Sequence, residues 1–350
     1  MQNSNLIDKL EQTHQLTKEE WLLLLDADDD TRKEILNRAC RVRDAVYGKT
    51  VFIRGLIEVT NYCKNDCLYC GIRRSNSCAA RYRLTKEDIL DCCKEGYALG
   101  FRTFVLQGGE DGHFTREFVC DTVKTIKSRY PDCAVTLSLG EHSRSTYESY
   151  YDAGADRYLL RHETANDAHY SALHPENLTL ENRKQCLYDL KDIGFQVGCG
   201  MMIGSPYQTK ECLAEDFLFL QQLRPHMVGM GPFISHKDTP FKDEPNGSTE
   251  DTIFYLALVR LLLPESLLPA TTALGTLDEG GREKAVLAGA NVVMPNLSPL
   301  SVREKYMLYD NKISTGDEAA ESLSHLKERM RAIGYEIVSA RGDYKNFSRK

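Results

Sequence analysis

The sequence has 350 residues, of which 42% are hydrophobic and 27% charged, so it can bury one large core. Its net charge of −7 argues against a nucleic acid or an anionic membrane as partner, because this surface would not neutralise phosphates or lipid headgroups. The opening residues MQNSNLIDKLEQTHQL lack the apolar region of a signal peptide, and no apolar run approaches the roughly 18 residues of a membrane span. We therefore expect a cytoplasmic protein whose twelve cysteines are reduced thiols or metal ligands rather than disulfides.

Residues 1–48 are predicted to form a helical extension that covers the rest of the fold. Thr17 can cap a helix through LTKEEWLLLLDA, and acidic residues open the next helical segment, where the helix dipole favours them. From residue 49 the pattern changes to short apolar runs that alternate with longer segments of helical period, which is typical of βαβ units. We therefore divide the chain into an N-terminal extension, 1–48, and one barrel domain with a C-terminal tail, 49–350.

Eight apolar, β-branched runs predict an α/β fold with eight parallel strands, the number that closes a complete (β/α)8 TIM-type barrel. The runs are 51–59, 103–107, 134–139, 157–161, 196–203, 227–234, 267–273 and 291–295. The segment from about 320 onward is predicted to be an amphipathic helix followed by a strand-like piece, packed on the outside of the barrel. In such a barrel the side chains at the carboxyl ends of the strands converge, although they are distant in sequence.

Three closely spaced cysteines follow the first predicted strand, in the sequence EVTNYCKNDCLYCGI. Cys63, Cys67 and Cys70 can ligate three irons of one [4Fe–4S] cluster and leave the fourth iron open to an exogenous group. A structural zinc site would usually need a fourth ligand nearby, and a redox C-x-x-C pair would leave Cys63 unexplained. The spacing alone leaves these alternatives open.

Tyr69, directly before the third cysteine, makes the loop resemble the C-x3-C-x-aromatic-C signature of the radical S-adenosylmethionine (SAM) superfamily. The resemblance implies that the amino and carboxylate groups of SAM chelate the open iron. An electron would then cleave SAM to methionine and a 5′-deoxyadenosyl radical. The superfamily also has a Gly-rich segment after the second strand, and LQGGED supplies Gly109 and Glu110 there. The implied cofactors are one [4Fe–4S] cluster, bound by the three cysteines, and SAM.

Polar and sulfur-bearing side chains occupy the predicted strand ends. Arg161 and Glu163 are two residues apart on one strand, so both face the same way, and they either form a structural ion pair or hold a zwitterion. Thr271 and Thr272 could donate hydrogen bonds to a carboxylate beside Arg161, although threonines are also ordinary strand residues. Three methionines could line a polarizable cavity that excludes water, or simply fill a core: Met202, Met227 and Met294.

Longer segments resemble the HydE family of radical SAM maturases, which help to build the active site of [FeFe]-hydrogenase. They are TLSLGE, AGADRYLLRHETAN, GMGPFI, PATTALGT, GGRE and GANVVMPN, and the resemblance covers roughly residues 35–310. It implies a substrate in the form of a cysteine-bound iron carbonyl–cyanide unit, handed over by a partner maturase and attacked at sulfur by the radical. The implied partners are other maturases and an electron donor, with no nucleic acid and no membrane.

Two sets of site residues are expected. The resemblance to HydE implies that Ser138, Glu163, Arg183, Met202 and Tyr306 contact SAM, and the superfamily motifs add Tyr69, Gly109 and Glu110. The resemblance to HydE implies that Arg161, Met227, Thr271, Thr272, Met294 and Tyr309 line the substrate cavity, and predicted strand-end positions add Gln107, His162 and Ala273. Tyr306 and Tyr309 are also spaced as core aromatics on one helical face. Some HydE proteins hold a second cluster in their C-terminal region, whereas the last cysteine here is Cys212, so we expect no second cluster.

Other functions remain open at the level of sequence. Biotin synthase would need a second cluster with several cysteines inside the barrel, where only Cys199 is well placed. A methylornithine synthase-like lysine mutase shares the barrel and the single cluster, and only the RHETAN and PATTALGT segments speak against it. A non-catalytic iron–sulfur or zinc scaffold would keep the three cysteines but would not need polar groups at the strand ends.

Overall fold

The computed structural model describes residues 2–313 and 322–349. Its helices are α1 (Gln2–Thr13), α2 (Lys18–Leu25), α3 (Asp29–Tyr47), α4 (Lys86–Ala98), α5 (Arg116–Arg129), α6 (Arg144–Asp152), α7 (Asp167–Leu173), α8 (Leu180–Ile193), α9 (Lys210–Leu223), α10 (Thr249–Leu262), α11 (Thr272–Leu277), α12 (Gly281–Leu287), α13 (Leu300–Arg303) and α14 (Leu323–Ala332). Its strands are β1 (Thr50–Ile53), β2 (Gly55–Thr60), β3 (Thr103–Gly108), β4 (Ala134–Ser138), β5 (Arg157–Leu159), β6 (Gln196–Cys199), β7 (Met202–Ile203), β8 (Met227–Val228), β9 (Gly231–Pro232), β10 (Val292–Val293) and β11 (Glu336–Val338). The first residues of the predicted tail, 320 and 321, lie outside the described residues. None of the described helices is long and apolar enough to cross a lipid bilayer.

The three N-terminal helices pack against two later helices. Thr17 caps α2 as predicted, because its hydroxyl accepts from the Glu20 N–H while the Glu20 carboxylate accepts from the Thr17 N–H. The indole ring of Trp21 is fully buried and stacks on Phe217 of α9, with 4.4 Å between ring centroids. Helix α3 runs along α10. The segment before β1 is therefore joined to the rest of the fold through an apolar interface.

Six parallel strands form the main sheet, in the order β2-β3-β4-β5-β6-β8. At least one helix lies between each pair of successive strands, so the fold is α/β and the sheet fits a TIM-like barrel. Strands β10 and β11 both pair in parallel with β1. Isolated parallel bridges extend the pairing further: Met227 with Leu267, Pro269 with Val292, and Leu56 with Asn296.

Several observed strands are shorter than the predicted apolar runs. The run 51–59 is divided into β1 and β2, and the runs 196–203 and 227–234 are each divided into two strands. A Cβ at Gly200 would lie 1.8 Å from the Gly229 carbonyl oxygen, so the two backbones touch where these runs break. The prediction of a strand through 267–273 is wrong beyond its first residues, because α11 begins at Thr272 and Thr271 is its N-cap.

One face of the main sheet carries the polar side chains that matter for function. Glu58, Gln107 and Ser138 are aligned across β2, β3 and β4, and neighbours in register share a face. Thr103, four residues before Gln107, is on that face as well and accepts a hydrogen bond from Arg157 Nη1 (3.0 Å). The opposite face packs on the helices, so these residues line the interior.

Candidate active site

The three cysteines lie in a loop that directly follows β2, and all three are free, partly exposed thiols. Two other segments hold this cluster loop in place. The Lys64 N–H donates to the Glu110 carbonyl (2.8 Å), and the Gly71 N–H donates to the Leu308 carbonyl (2.8 Å). A Cβ at Gly71 would lie 2.2 Å from the Met307 carbonyl oxygen, so the two segments are in close contact. The cluster loop is therefore fixed between the turn after β3 and the segment after α13.

The protein surroundings alone do not favour the thiolate forms of these cysteines. Burial raises the pKa of Cys63 and of Cys67, and it raises the pKa of Cys70 to about 12. A bound metal reverses this effect, because its positive charge stabilises the thiolate and drives the proton off. Three thiols supplied by one short loop therefore fit an iron–sulfur cluster, in which each cysteine binds a different iron. Among the described residues, no three His, Cys, Asp or Glu side chains are grouped closely enough to hold a single metal ion.

Gly109 and Glu110 form the turn that touches the cluster loop. A Cβ at Gly109 would lie 2.2 Å from the Tyr62 carbonyl oxygen, so only glycine permits this approach. Glu110 Oε1 accepts from the Glu141 N–H (3.0 Å), and Oε2 lies 3.0 Å from Lys64 Nζ. The backbone of this turn thus faces the cluster loop, while the Glu110 side chain is directed to the loop after β4.

Two charged side chains and one hydroxyl have unused hydrogen-bonding atoms near the strand ends. Glu163 has a φ of +64°, and its Oε2 lies 2.9 Å from Arg161 Nη2 without the alignment of a hydrogen bond. Arg161 Nη2 donates instead to the Met201 carbonyl (2.9 Å). Of the fifteen buried side-chain atoms that find no hydrogen-bond partner among the described residues, three belong to this group: Arg161 Nε, Glu163 Oε2 and Thr271 Oγ1. Since buried polar atoms are normally paired, these atoms mark a place where a ligand can bind.

Arg183, in the first turn of α8, connects this group to the loop after β4. Its Nη1 donates to the Arg161 carbonyl (2.6 Å), and its Nε pairs with Glu141. Burial alone would lower the pKa of Arg183, but Tyr170 and Glu141 raise it overall. The guanidinium is therefore a fixed positive charge behind the Arg161 backbone.

Aromatic side chains flank the cluster loop on both sides. Tyr69 shares a hydrogen bond with His174 Nε2 (3.2 Å) and packs in one apolar cluster with Met202. Burial lowers the pKa of His174 to about 3, so this ring is neutral at physiological pH. On the other side, the buried Tyr306 accepts a hydrogen bond from Gln107 Nε2 (3.4 Å), and burial raises its pKa well above the usual value.

The remaining predicted residues lie around the same strand ends. Ser138 ends β4, and Thr272 and Ala273 open α11. Burial raises the pKa of Tyr309, against a hydrogen bond with Thr276 that lowers it. A Cβ at Gly231 would lie 3.0 Å from Thr271 Oγ1 and 3.4 Å from Ala273 Cβ, so this corner is close-packed around the unpartnered hydroxyl.

Comparison with known proteins identifies the family. The Radical SAM superfamily matches residues 57–220, which include the cluster loop. The chain is 42% identical to the [FeFe] hydrogenase maturase subunit HydE of Thermotoga maritima, over 95% of each chain. The chain belongs to the HydE family. As a radical SAM enzyme, this HydE-family protein uses a [4Fe–4S] cluster and SAM.

More distant relatives share the fold of this HydE-family chain. It is 26% identical to the 3-methylornithine synthase of Methanosarcina acetivorans, over 94% of this chain and 92% of that protein. The crystal structure of a methylornithine synthase superposes with a TM-score of 0.83 at 25% identity, covering 95% of this chain and 97% of the other. A structure of HydG, a maturase of the [FeFe]-hydrogenase, also gives 0.83, at 20% identity over 97% of this chain and 76% of that one.

His162 does not join the strand-end residues with which it is predicted to line the substrate cavity. Its Nε2 lies 3.1 Å from Asp216 Oδ1 on α9, and its ring packs against Phe219. The ring is fully buried, and Nδ1 accepts from the Gly200 N–H (3.3 Å). Because adjacent strand residues point to opposite faces, His162 faces the helices while Arg161 faces the interior. The prediction that His162 lines the substrate cavity is therefore not supported by its position.

Met227 lies deeper than the strand-end position predicted for it. Met227 is the first residue of β8, and its sulfur accepts from Arg54 Nη1 (3.0 Å). It packs with Leu267 and Val292. Arg54 precedes β2, whereas the cysteine loop follows β2, so Met227 lies toward the amino-terminal end of the strands. Met294 follows β10 and packs against the same cluster as Met227.

The sequence reasoning missed a buried polar group on the interior face. Glu58 is fully buried, with Oε1 2.7 Å from Lys312 Nζ and Oε2 accepting from Asn296 Nδ2 (2.9 Å). A single acidic residue within an apolar strand run was the available signal for Glu58. Nothing in the sequence pairs it with a lysine 254 positions later.

Proposed function

We propose that this chain acts in the maturation of the [FeFe]-hydrogenase active-site H-cluster, on a cysteine-bound iron carbonyl–cyanide precursor. The observation that supports this most directly is the pair of buried atoms without a hydrogen-bond partner among the described residues, Arg161 Nε and Thr271 Oγ1, at the end of the sheet that carries the cluster loop. These two atoms can hold the carboxylate of a cysteine. The relative named HydE, at 42% identity, is itself a hydrogenase maturase.

The proposed roles of the residues are binding and orientation. When bound, the cluster and SAM would supply a 5′-deoxyadenosyl radical for the reaction at the sulfur of the precursor. Cys63, Cys67 and Cys70 bind the cluster. The proposed SAM contacts are Tyr69, Gly109, Glu110, Ser138, Glu163, Arg183, Met202 and Tyr306.

For the precursor, Arg161 and the hydroxyl of Thr271 bind the carboxylate of its cysteine, because a guanidinium recognises carboxylates through directed hydrogen bonds. Thr272, Ala273 and Tyr309 complete the proposed wall of the cavity next to this carboxylate. Gln107 shares the interior face with them through its register with Ser138.

We also propose that the pairings close a complete (β/α)8 barrel around this site. The bridges at Leu267, Pro269 and Asn296 would supply the connections between β8, β10 and β2. Residues 1–48 would form the helical cover, and residues 49–350 the barrel domain with its helical tail. Closure would keep water away from the reacting atoms.

The proposed partners are the other hydrogenase maturases and an electron donor, in the cytoplasm. All twelve cysteines are free thiols, which suits a reducing compartment. The electron donor must reach the cluster loop, where Lys64 is largely exposed, with 64% of its side-chain surface accessible. A negatively charged donor would complement this cation.

A second candidate is a lysine mutase of the methylornithine synthase type. The TM-score of 0.83 to such an enzyme supports it, as does a charged pair, Arg161 and Glu163, that could hold an amino acid. Its substrate would be lysine rather than an iron complex, so the two candidates differ in what stimulates SAM cleavage.

Anaerobic reconstitution with iron and sulfide, followed by dithionite and SAM, separates the two candidates. We expect about four irons per chain, and 5′-deoxyadenosine formation that a cysteine-derived iron carbonyl–cyanide complex stimulates and lysine does not. In Thr271→Val, the stimulated rate should fall about tenfold while the unstimulated rate is unchanged, because one hydrogen bond to a charged group is lost. Stimulation by lysine with formation of methylornithine would contradict the maturase role, and iron-loaded protein that leaves SAM intact would contradict both.

A further inference from the structure

Glu58 and Lys312 form an ion pair on the interior face of the sheet. The side chains are 0% and 5% exposed, and 2.7 Å separates Glu58 Oε1 from Lys312 Nζ. The second carboxylate oxygen accepts from Asn296 Nδ2 (2.9 Å), so both oxygens are used inside the protein. Removing two charges from water costs about as much as their attraction returns. A pair of this kind is therefore better explained by the geometry it fixes than by the stability it adds.

The ion pair between Glu58 and Lys312 lies next to the contacts that hold Tyr306. Glu58 is aligned with Gln107 across β2 and β3, and the Gln107 amide donates to the Tyr306 hydroxyl (3.4 Å). Lys312 Nζ lies 5.2 Å from the centroid of the Tyr306 ring, within the range of a cation–π contact. Two neighbouring strand residues thus hold two residues of the segment that follows α13, and Tyr306 is held from both sides.

The same segment is attached to the cluster loop. The Lys305 carbonyl accepts from Asn61 Nδ2 (2.7 Å), and the Leu308 carbonyl accepts from the Gly71 N–H (2.8 Å). These two contacts lie before and after Tyr306, and Lys312 lies four residues further along. Release of the Lys312 end would therefore loosen Tyr306 relative to the cysteine loop.

We propose that Lys312, acting through Glu58, is a positioning residue for SAM cleavage. It holds the segment 304–313 against the cluster loop, so that Tyr306 closes on SAM in one orientation. This inference rests on the proposed contact between Tyr306 and SAM, and it does not depend on which substrate the radical attacks.

The test is steady-state formation of 5′-deoxyadenosine by the reconstituted enzyme at varied SAM concentration. In Lys312→Met we expect the KM for SAM to rise about tenfold, with a smaller fall in kcat, because SAM meets a displaced Tyr306. Glu58→Gln should produce the same rise. The double variant Glu58→Gln/Lys312→Met should lie no further from the wild type than either single variant, since the two residues act as one unit.

A matched control is available at the N-terminus. Lys9 Nζ also lies 2.7 Å from a glutamate oxygen, on Glu20, but these side chains are 42% and 24% exposed. Lys9→Met should therefore keep the KM for SAM within about twofold of the wild type, because exposed pairs contribute little.

Folding is monitored by iron content and thermal unfolding. If Lys312→Met does not fold because Glu58 is left unpaired, the double variant, which buries no lone charge, carries the test. Iron-loaded protein with an unchanged KM for SAM overturns the positioning role, as does a loss confined to kcat. Tyr306→Leu tests the proposed contact between Tyr306 and SAM separately from the role of Lys312. An unchanged KM for SAM in Tyr306→Leu overturns that contact. A KM that rises in Tyr306→Leu but not in Lys312→Met overturns only the positioning role of Lys312.

Discussion

Two arginines four residues apart occupy opposite ends of the same strand and are treated differently by the protein. Arg157 begins β5, is fully buried, and donates to Thr103 Oγ1 (3.0 Å) and Asp343 Oδ1 (2.5 Å). Arg161, just beyond β5, is 34% exposed, donates only to the Met201 carbonyl, and has a buried Nε without a partner among the described residues. In TIM-like folds the amino-terminal end of the sheet serves stability and the carboxyl end serves chemistry. The protein uses all three nitrogens of the first guanidinium, whereas the second keeps an unused Nε beside its ion pair with Glu163 and can still bind a ligand.

The largest effect is expected at the carboxyl end, in the cluster loop. Cys67→Ala should abolish cluster binding and SAM cleavage, because two thiolates do not hold the cluster in place. The measurement is iron per chain together with 5′-deoxyadenosine after anaerobic reconstitution. Cys78→Ala is the matched control, since Cys78 is an exposed thiol eight residues beyond the last cluster cysteine, and it should keep full activity. Full activity in Cys67→Ala would remove the basis for assigning the cluster to this loop.

Substitution of the two arginines by methionine should separate activity from stability. Arg161→Met should lower the precursor-stimulated rate about 100-fold through misplacement of the substrate. It should lower the free energy of unfolding by about 1 kcal/mol, because Glu163 loses its ion pair and the Met201 carbonyl loses a donor. Arg157→Met should lower the free energy of unfolding by about 3 kcal/mol, because Thr103, the Arg341 carbonyl and Asp343 each lose a hydrogen bond from a fully buried guanidinium. Activity assays and chemical denaturation of both variants provide the comparison. Similar losses of unfolding free energy in the two variants would show that both ends of β5 contribute equally to stability, which would contradict the contrast between them.

Part of this contrast could be predicted from the sequence. Alternation along the strand places Arg161 and Glu163 on one face, and the same rule, applied to His162, indicates the opposite face. The prediction nevertheless places His162 in the cavity as one of the strand-end residues, and the structure shows it against Asp216 on α9. Likewise, Met227 opens its apolar run, which in a parallel strand means the amino-terminal end. Local geometry was the better guide for both residues.

Other features could not be predicted, because they depend on which distant segments meet. The predicted strand 267–273 ends early because α11 begins at Thr272. The N-cap residue Thr271 makes no side-chain cap hydrogen bond, so the usual signal of a helix start is missing. Glu58 on β2 pairs with Lys312 after α13, and Arg183 on α8 pairs with Glu141 after β4, so each pair joins segments that only the completed sheet brings together. The cysteine loop and the Gly-Gly-Glu turn were predictable because each is a contiguous motif at a strand end.

The smallest effect is expected at the amino-terminal end, at His226. Burial lowers its pKa to about 4, its Nδ1 accepts from the Val197 N–H (3.0 Å), and its ring packs on Tyr344 and Phe347 of the C-terminal segment. An unfolded histidine titrates near 6.5, so the unfolded state takes up a proton first as the pH falls, and folding stability is lost between about pH 6.5 and 4. Between pH 7 and 5 this amounts to about 1–2 kcal/mol, and it should be absent in His226→Asn, which keeps an acceptor for Val197.

Denaturation at the two pH values measures this difference. The buried His174, at the other end of the sheet, titrates in the same direction in both proteins and cancels in the comparison. An identical loss of stability in wild type and His226→Asn would mean that the amino-terminal end does not exclude the proton. In that case the amino-terminal end of the sheet would be more accessible to water than the buried hydrogen bonds of Arg157 indicate.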